Sequence, residues 1–516
     1  MIHSLRGAGN LARRPQVLVI GAGTAGLLLA QELHQRGIDV LCVESGGRHQ
    51  ESETHPLNEV EQLGTPYAGA AHGRFRCLGG TSTRWGGALI PFAAADTRND
   101  DWPIGMDELA PHQAQVEAAF SLPPSPYELP EVLGPQAQHV ARLAKWPPFK
   151  KRNVAQLLGS ALDSEAGFAV WLDATATDFH LKDGLLQGVV MRALDGSTLT
   201  VHAQETVMAC GAIESTRLLL LLDAQNKGAV RTISPQLGKG FHDHLSAVVA
   251  DLLVKDRRAL NRLLGFRFEA GGVMRNLRFE LAADTQARQY LPACFAHVAF
   301  DAGEKGGFAE LRNLFRLMQR AKLPDAAQIW RLARELPWLT KASYWRFAER
   351  RLLYPAHAPI QLHMVIDQTV RDENCIDLSP NRHDVFGQPL ARISWCADEV
   401  DHANMAAATN AVVATWNASP LQELAALQPR AADSVDREMV AGGGIYHPGG
   451  STRMGRDATQ GVVDRDLRVF AVQNLRVVAT SVLPTGGGAN PTMTLLMLAF
   501  RCAGQLQKNL QPHDRG

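Results

Sequence analysis

The chain reads as an α/β protein with an α+β second domain, and three patterns carry that reading. An apolar strand, a glycine turn and an amphipathic helix follow one another near the start. The same strand–glycine–helix order recurs from Thr206. Around and beyond the second unit, alternating apolar and polar stretches predict antiparallel strands.

At 516 residues the chain is long enough for two domains and buries a core without covalent staples. Lysine plus arginine and aspartate plus glutamate each number 52, so the net charge is zero. That balance argues against nucleic acid as a partner, because phosphate binding draws on a basic surplus. The seven cysteines contain no C-x-x-C pair, which points away from a disulfide framework or a zinc site and towards a reducing, cytoplasmic setting. The apolar stretch Val17 to Ala30 is broken by Gly21, Gly23 and Gly26, so it reads as strand–turn–helix and not as a leader. No uncharged apolar run of about twenty residues predicts a membrane span.

Val17 to Ile20 suits a buried parallel strand, and Gly21-Ala22-Gly23-Thr24-Ala25-Gly26 follows at once. The helix from Leu27 stops at Gly37, and the next strand, Val40 to Val43, ends on Glu44. This is a complete βαβ start. Gly21 and Gly23 let the turn approach a pyrophosphate, and Gly26 lets helix and strand pack closely. Glu44, about twenty residues beyond the first glycine, stands where a carboxylate accepts ribose hydroxyls. Together these predict a dinucleotide without a 2′-phosphate.

Gly79-Gly80-Thr81-Ser82-Thr83-Arg84-Trp85-Gly86-Gly87 is a loop whose backbone N–H groups can line a ligand, either a bound anion or a stacked ring. Residues 96–150 are proline-rich and mixed, with a helix expected from Asp107 to Phe120. Phe168 to Thr206 reads as antiparallel strands turning at Asp183-Gly184 and Asp195-Gly196. The strand Thr206 to Cys210, with Gly211 and a helix after it, faces the same crevice as the first unit. In His242-Asp243-His244 the i, i+2 histidines lack a third ligand nearby in sequence, so structural hydrogen bonding is expected there and no metal.

Further strands are expected at Val248 to Val254 and Leu362 to Val370, with a pair at Ile376 to Leu378 and Ala391 to Trp395. Arg312 to Leu353 is helical and basic, with Arg316, Arg320, Arg331 and Arg334 set among Trp330, Trp338 and Trp345. It reads as a lid, as a peripheral surface touching acidic lipid headgroups, or as an amphipathic pair packed on the second domain. The last of these is the expectation. Near the C-terminus come His447-Pro448-Gly449-Gly450-Ser451-Thr452-Arg453-Met454-Gly455, the strand Asn474 to Val478, and Gly486-Gly487-Gly488-Ala489-Asn490-Pro491-Thr492. The last run opens a helix at Thr492, whose N-terminus can face a ring carbonyl.

Together these stretches resemble the glucose–methanol–choline (GMC) flavoprotein oxidoreductases. The wording of the C-terminal part is nearest to the bacterial branch that includes sugar and polyol dehydrogenases. The resemblance implies a discontinuous Rossmann-like FAD-binding domain (1–95, 155–245 and 445–516). It also implies a substrate domain with an antiparallel sheet and helices (96–154 and 246–444). Gly21, Gly23, Gly26 and Glu44 match the positions that hold the ADP part of FAD. Gly79, Gly80, Thr81, Ser82, Trp85, Gly86 and Gly87 match the loop beside pyrophosphate and flavin. Gly211, Ala489 and Thr492 are expected at the same cofactor. His447 matches the catalytic histidine, and Asn490 its partner. Arg84 or Trp85 occupies the neighbourhood where some members tether FAD through histidine, so the flavin is expected to be non-covalent. Ala479-Thr480-Ser481 replaces the Asp-Ala-Ser of many members.

The implied reaction is oxidation of CH–OH to C=O, with His447 as base, hydride passing to flavin N5, and Asn490 holding the substrate oxygen. Two other classes fit the same residues: lyase chemistry on a structural FAD, and ligand binding without turnover. The expected substrate is a sugar, polyol or glycosylated natural product, with an apolar or aromatic alcohol as the alternative. Dioxygen, a quinone or a cytochrome is the expected electron acceptor.

Overall fold

A computed structural model describes the chain except residues 51–53, 98–100, 135–136, 165–166, 284–289, 320–321, 442–444 and 511–516. Arg320 therefore lies outside the described residues. Four sheets organise the rest. The first has six parallel strands in the order Ile2–Ser4, Ala169–Leu172, Val40–Val43, Val17–Ile20, Glu205–Met208 and Leu475–Val477. Its central strands are buried on both faces, which explains the continuous apolar runs of Val17–Ile20 and Val40–Val43. The start, middle and end of the chain thus meet in one sheet.

Beside it, Thr175–Lys182, Leu185–Arg192 and Thr198–Val201 form an antiparallel meander, turning at Asp183 and at Gly196 as expected. Asn10–Arg13 adds to its edge in parallel. The largest sheet has seven strands, all antiparallel, running from Arg267–Phe268 to Ala425–Pro429. It includes His139–Trp146, a strand within the proline-rich region where only a helix was expected. That helix is present as Met106–Ala119, packed against the C-terminal Thr492–Leu510 helix. A three-stranded sheet joins Val60–Gly64 in parallel to Pro389–Trp395, so it straddles the expected division between the two domains.

Residues 312–353 are helical, as expected, in Gly307–Gln319, Ala326–Arg334 and Leu336–Tyr344. The expected packing holds for the first of these, where Phe315 stacks on Phe149 at 4.5 Å, and not for the next two. Ala326–Arg334 and Leu336–Tyr344 contain no buried residue, and Trp330 is 61% exposed.

Candidate active site

The site forms where the carboxyl ends of Val17–Ile20 and Glu205–Met208 meet. Gly21 takes φ +108°, and a Cβ there would lie 2.6 Å from the Ala209 carbonyl oxygen, so this turn requires glycine. A long cleft runs from this turn. One end is walled by Glu44, Ser45, Arg76 and Ala174, the other by Tyr446, Pro448, Thr492 and Leu495. Gly23 and Gly211 are the N-caps of two helices, and neither supplies a side-chain cap. A Cβ at either would meet no atom within 4 Å. Two helix N-termini with free backbone donors therefore open onto vacant space, which suits a pyrophosphate.

Of the expected cofactor residues, Gly21, Gly23, Glu44, Gly80, Thr81, Trp85, Gly211 and Thr492 line this cleft. Gly26, Gly79, Ser82, Gly86, Gly87 and Ala489 stand outside the lining, and packing accounts for most of them. A Cβ on Gly26 would come within 1.9 Å of the Gly21 carbonyl oxygen, and one on Gly86 would strike the Trp146 ring. The Ser82 hydroxyl donates to the Gly79 carbonyl at 2.6 Å and accepts from the Val154 N–H. The Glu44 carboxylate accepts from the N–H groups of Ala22 and Gly46 at 3.0 and 2.9 Å, and burial raises its pKa.

Arg76, in a stretch with no motif, reaches Ser45, Asn58 and Glu214. Burial pushes the Glu214 carboxyl up, but Arg76, Arg217 and Arg74 together carry it down to about 2. This buried ion cluster braces the cleft wall.

The two C-terminal runs close the other end. The Thr452 hydroxyl donates to Ser481 at 2.7 Å. His242 and Gly449 form a bridge between 238–244 and 447–455, and a Cβ on Gly450 would lie 1.9 Å from the Gly240 carbonyl oxygen. The glycines of this run thus serve chain-to-chain approach. His447 stands between the cleft-lining residues Tyr446 and Pro448.

The His242-Asp243-His244 segment acquires the third partner that its sequence lacks. Asp243, His244 and His447 converge with ligand atoms within 4.8 Å of one another. Their lone pairs already have hydrogen-bond partners. Asp243 accepts from the Tyr67 hydroxyl at 2.5 Å and from the backbone N–H groups of His244, Tyr446 and His447. Burial raises its carboxyl to about 7.

The ring nitrogens form one directed chain. His244 Nε2 lies 2.8 Å from the Gly487 carbonyl, which can only accept, so Nε2 carries the proton. Burial brings His244 down to about 4, so the ring is neutral and its Nδ1 is an acceptor. His447 Nδ1, 3.0 Å away, must then be the N–H donor. His447 Nε2 is left as the acceptor, and Asn490 Nδ2 lies 3.1 Å from it. The Asn490 amide is oriented by Arg278, whose Nη2 donates to Asn490 Oδ1 at 2.7 Å. Burial, then His244 and Arg278, hold the His447 pKa well below its ordinary value, not near neutrality. His447 and Asn490 remain partly exposed, whereas His244, Asp243 and Arg278 are buried. Residues 447 and 490 therefore meet as expected, while Tyr67, Asp243 and Arg278 enter the site without a sequence motif of their own.

Residues 370–499 match the family model for GMC oxidoreductases. The chain thus carries a C-terminal segment similar to that of the GMC oxidoreductases. Residues 14–59 match an FAD-binding domain, and the two matches together mark an FAD-dependent oxidoreductase. The chain is 23% identical to a 2-methyl-1,2-propanediol dehydrogenase of Mycolicibacterium austroafricanum, over 96% of each chain. It is 31% identical to a C-glycoside 3-oxidase of Arthrobacter globiformis, over 25% of this chain and 23% of that one. The fold is similar to that of pyridoxine 4-oxidase from Mesorbium loti, with a TM-score of 0.58 and 16% identity, covering 95% of this chain and 99% of the other. Among the described residues no helix is long and apolar enough to cross a membrane.

Proposed function

We propose that the enzyme oxidises a secondary or primary hydroxyl of a sugar, polyol or glycosylated natural product to a carbonyl, with His447 as the base. The observation that carries this reading is the directed chain ending at His447 Nε2. That nitrogen is held unprotonated on a partly exposed residue and already faces a hydrogen-bond donor on Asn490. A substrate hydroxyl entering between the two residues donates its proton to Nε2 and accepts from the Asn490 amide, which aims the carbinol C–H. FAD held non-covalently in the cleft supplies the hydride acceptor. The diol and glycoside named for the two relatives support this substrate class. Residues 1–95, 155–245 and 445–516 hold the cofactor, and 96–154 with 246–444 cover the substrate side. Dioxygen, a quinone or a cytochrome reoxidises the enzyme, and the setting is cytoplasmic.

The test is anaerobic bleaching of the bound flavin by a panel of sugars and alcohols. His447→Ala is expected to retain FAD and to be reduced at least a hundredfold more slowly, roughly the contribution of a positioned base. Reduction of that variant at the wild-type rate removes His447 from the role.

A further inference from the structure

Arg278 lies in the Met274–Leu281 strand of the seven-stranded sheet and is 4% exposed. Its guanidinium makes one hydrogen bond, to Asn490, and packs 4.2 Å from the centre of the Phe295 ring. Nε and Nη1 have no partner. Among the described residues no carboxylate forms an ion pair with it. The nearby Glu280 carboxylate, whose charge acts on both arginines, is hydrogen-bonded to Arg142 and not to Arg278. The pairing of Phe279 with Ala296 and of Glu280 with Phe295 sets His297 directly opposite Arg278. The Nδ1 of His297 also lacks a partner, and its ring stacks on His363 at 5.1 Å. A buried cation with unused donors, one hydrogen bond away from the residue that holds the substrate oxygen, calls for an anion supplied from outside the chain.

We propose that the alcohol substrate carries a carboxylate within a few bonds of the carbinol carbon, as in a hydroxy acid or sugar acid, and that Arg278 binds it. The planar fork of arginine donors matches the two oxygens of a carboxylate. His297 Nδ1, on the same face of the sheet, is placed to contact the same group or its adjacent hydroxyl. This assignment rests on the reading of His447 and Asn490 as the alcohol site.

The test uses the flavin-loaded enzyme and propanoate, a carboxylate with no hydroxyl to oxidise. Titration is followed through the absorbance of the oxidised flavin. Wild type is expected to bind propanoate. Arg278→Met, with its FAD content verified, is expected to bind it at least tenfold more weakly, the scale of a lost charge-assisted hydrogen bond. Arg278→Lys is expected to fall between. In bleaching assays the preference for 2-hydroxypropanoate over 1,2-propanediol is expected to drop by a similar factor in Arg278→Met. Absence of propanoate binding to wild type, or equal binding by the variants, overturns the assignment. Arg278-dependent binding without bleaching by any alcohol keeps the anion site and sinks the oxidation reading, so the two failures are distinct.

A second, independent observation concerns the exposed helices. Leu323, Ile329, Trp330, Leu336 and Phe347 are 93, 57, 61, 60 and 78% exposed. They lie among Lys322, Arg334, Lys341, Arg346, Arg350 and Arg351, with Arg331 held by Glu310 and Glu349 held by Arg258 and Arg262, and with Asp325 and Glu335 as the other carboxylates, in a chain of zero net charge. Exposed aromatic and aliphatic side chains interleaved with cations complement an anionic lipid surface, where the apolar groups enter the headgroup boundary and the cations meet phosphate. We infer that this face docks on such a bilayer.

The test is co-sedimentation of the whole protein with vesicles of phosphatidylcholine alone or mixed with phosphatidylglycerol. Binding is expected only to the mixed vesicles, falling with added salt. It is expected to drop by about tenfold in Trp330→Ser/Phe347→Ser, from the lost apolar burial. No binding to the mixed vesicles, or unchanged binding by that variant, overturns the inference. So does a dimer in solution that the same substitutions dissociate.

Discussion

Replacing His244 tests the ring-nitrogen chain without touching either residue assigned to substrate. In His244→Leu the Nδ1–H of His447 loses its acceptor. A buried donor left without a partner costs about 1–3 kcal/mol. The ring could avoid this by moving its proton to Nε2, but Nε2 faces the Asn490 NH2 group, so two donors would then oppose each other. Turning the Asn490 amide over relieves that clash only by breaking its bond from Arg278. Each escape therefore forfeits another hydrogen bond of similar size, and the unprotonated Nε2 becomes the minority form. At about 1.4 kcal/mol per decade, flavin reduction should slow roughly 10- to 100-fold. His244→Asn provides the control, since its amide oxygen replaces the Nδ1 acceptor. It should recover most of the rate. The assay is anaerobic stopped-flow reduction of variants matched for FAD content. Reduction by His244→Leu within a factor of two of wild type would refute the tautomer argument, as would an Asn variant no better than the Leu variant.

Two further outcomes follow from the buried charges. Glu214 is held at about 2 against an ordinary 4.5, so its folded pKa is depressed. The associated stabilisation, about 3 kcal/mol, is present above pH 4.5 and lost as pH falls through about 2. Glu214→Gln should lower the melting temperature at pH 7 and weaken FAD retention, because Arg76 loses the anion that places it on the cleft wall. A scanning calorimetry trace unchanged from wild type would count against the cluster. Asp367, which accepts from the Gly486 and Gly487 N–H groups, is raised by burial to about 8. Its contribution is present below the ordinary carboxylate value and lost as pH rises through 8. Asp367→Asn should therefore flatten the fall of melting temperature between about pH 4 and 8, and a variant that falls as steeply as wild type contradicts the assignment.

The residues readable from sequence are those whose role depends on neighbours along the chain. Gly21, Gly23 and Glu44 belong to one strand–turn–helix–strand unit, so their spacing reports their placement directly. His447 and Asn490 sit in glycine-rich runs whose strangeness marks them, although the glycines themselves serve backbone approach, as Gly450 against Gly240 illustrates. Arg278 gives no such signal. It sits in Met-Arg-Asn-Leu-Arg-Phe-Glu-Leu, a stretch that reads as an ordinary mixed strand with charges destined for solvent. Its burial is a property of the sheet: Arg142 and Glu280 pair beside it, and Asn490 arrives from 212 residues away. Asp243 and Tyr67 are hidden in the same way, because a carboxylate that holds its neighbour's N–H and two more from a loop about 200 residues on leaves no periodicity in either stretch. The substrate side is built from such long-range pairs on an antiparallel sheet. It follows that cofactor and reaction type are legible here from local motifs, whereas substrate preference is set by which side chains the register brings face to face. A single register shift in Met274–Leu281 would turn Arg278 away from Asn490 while leaving every motif intact. Under the proposed assignment the chemistry of the substrate is thus encoded in strand pairing, and Arg278 is the residue through which it is read.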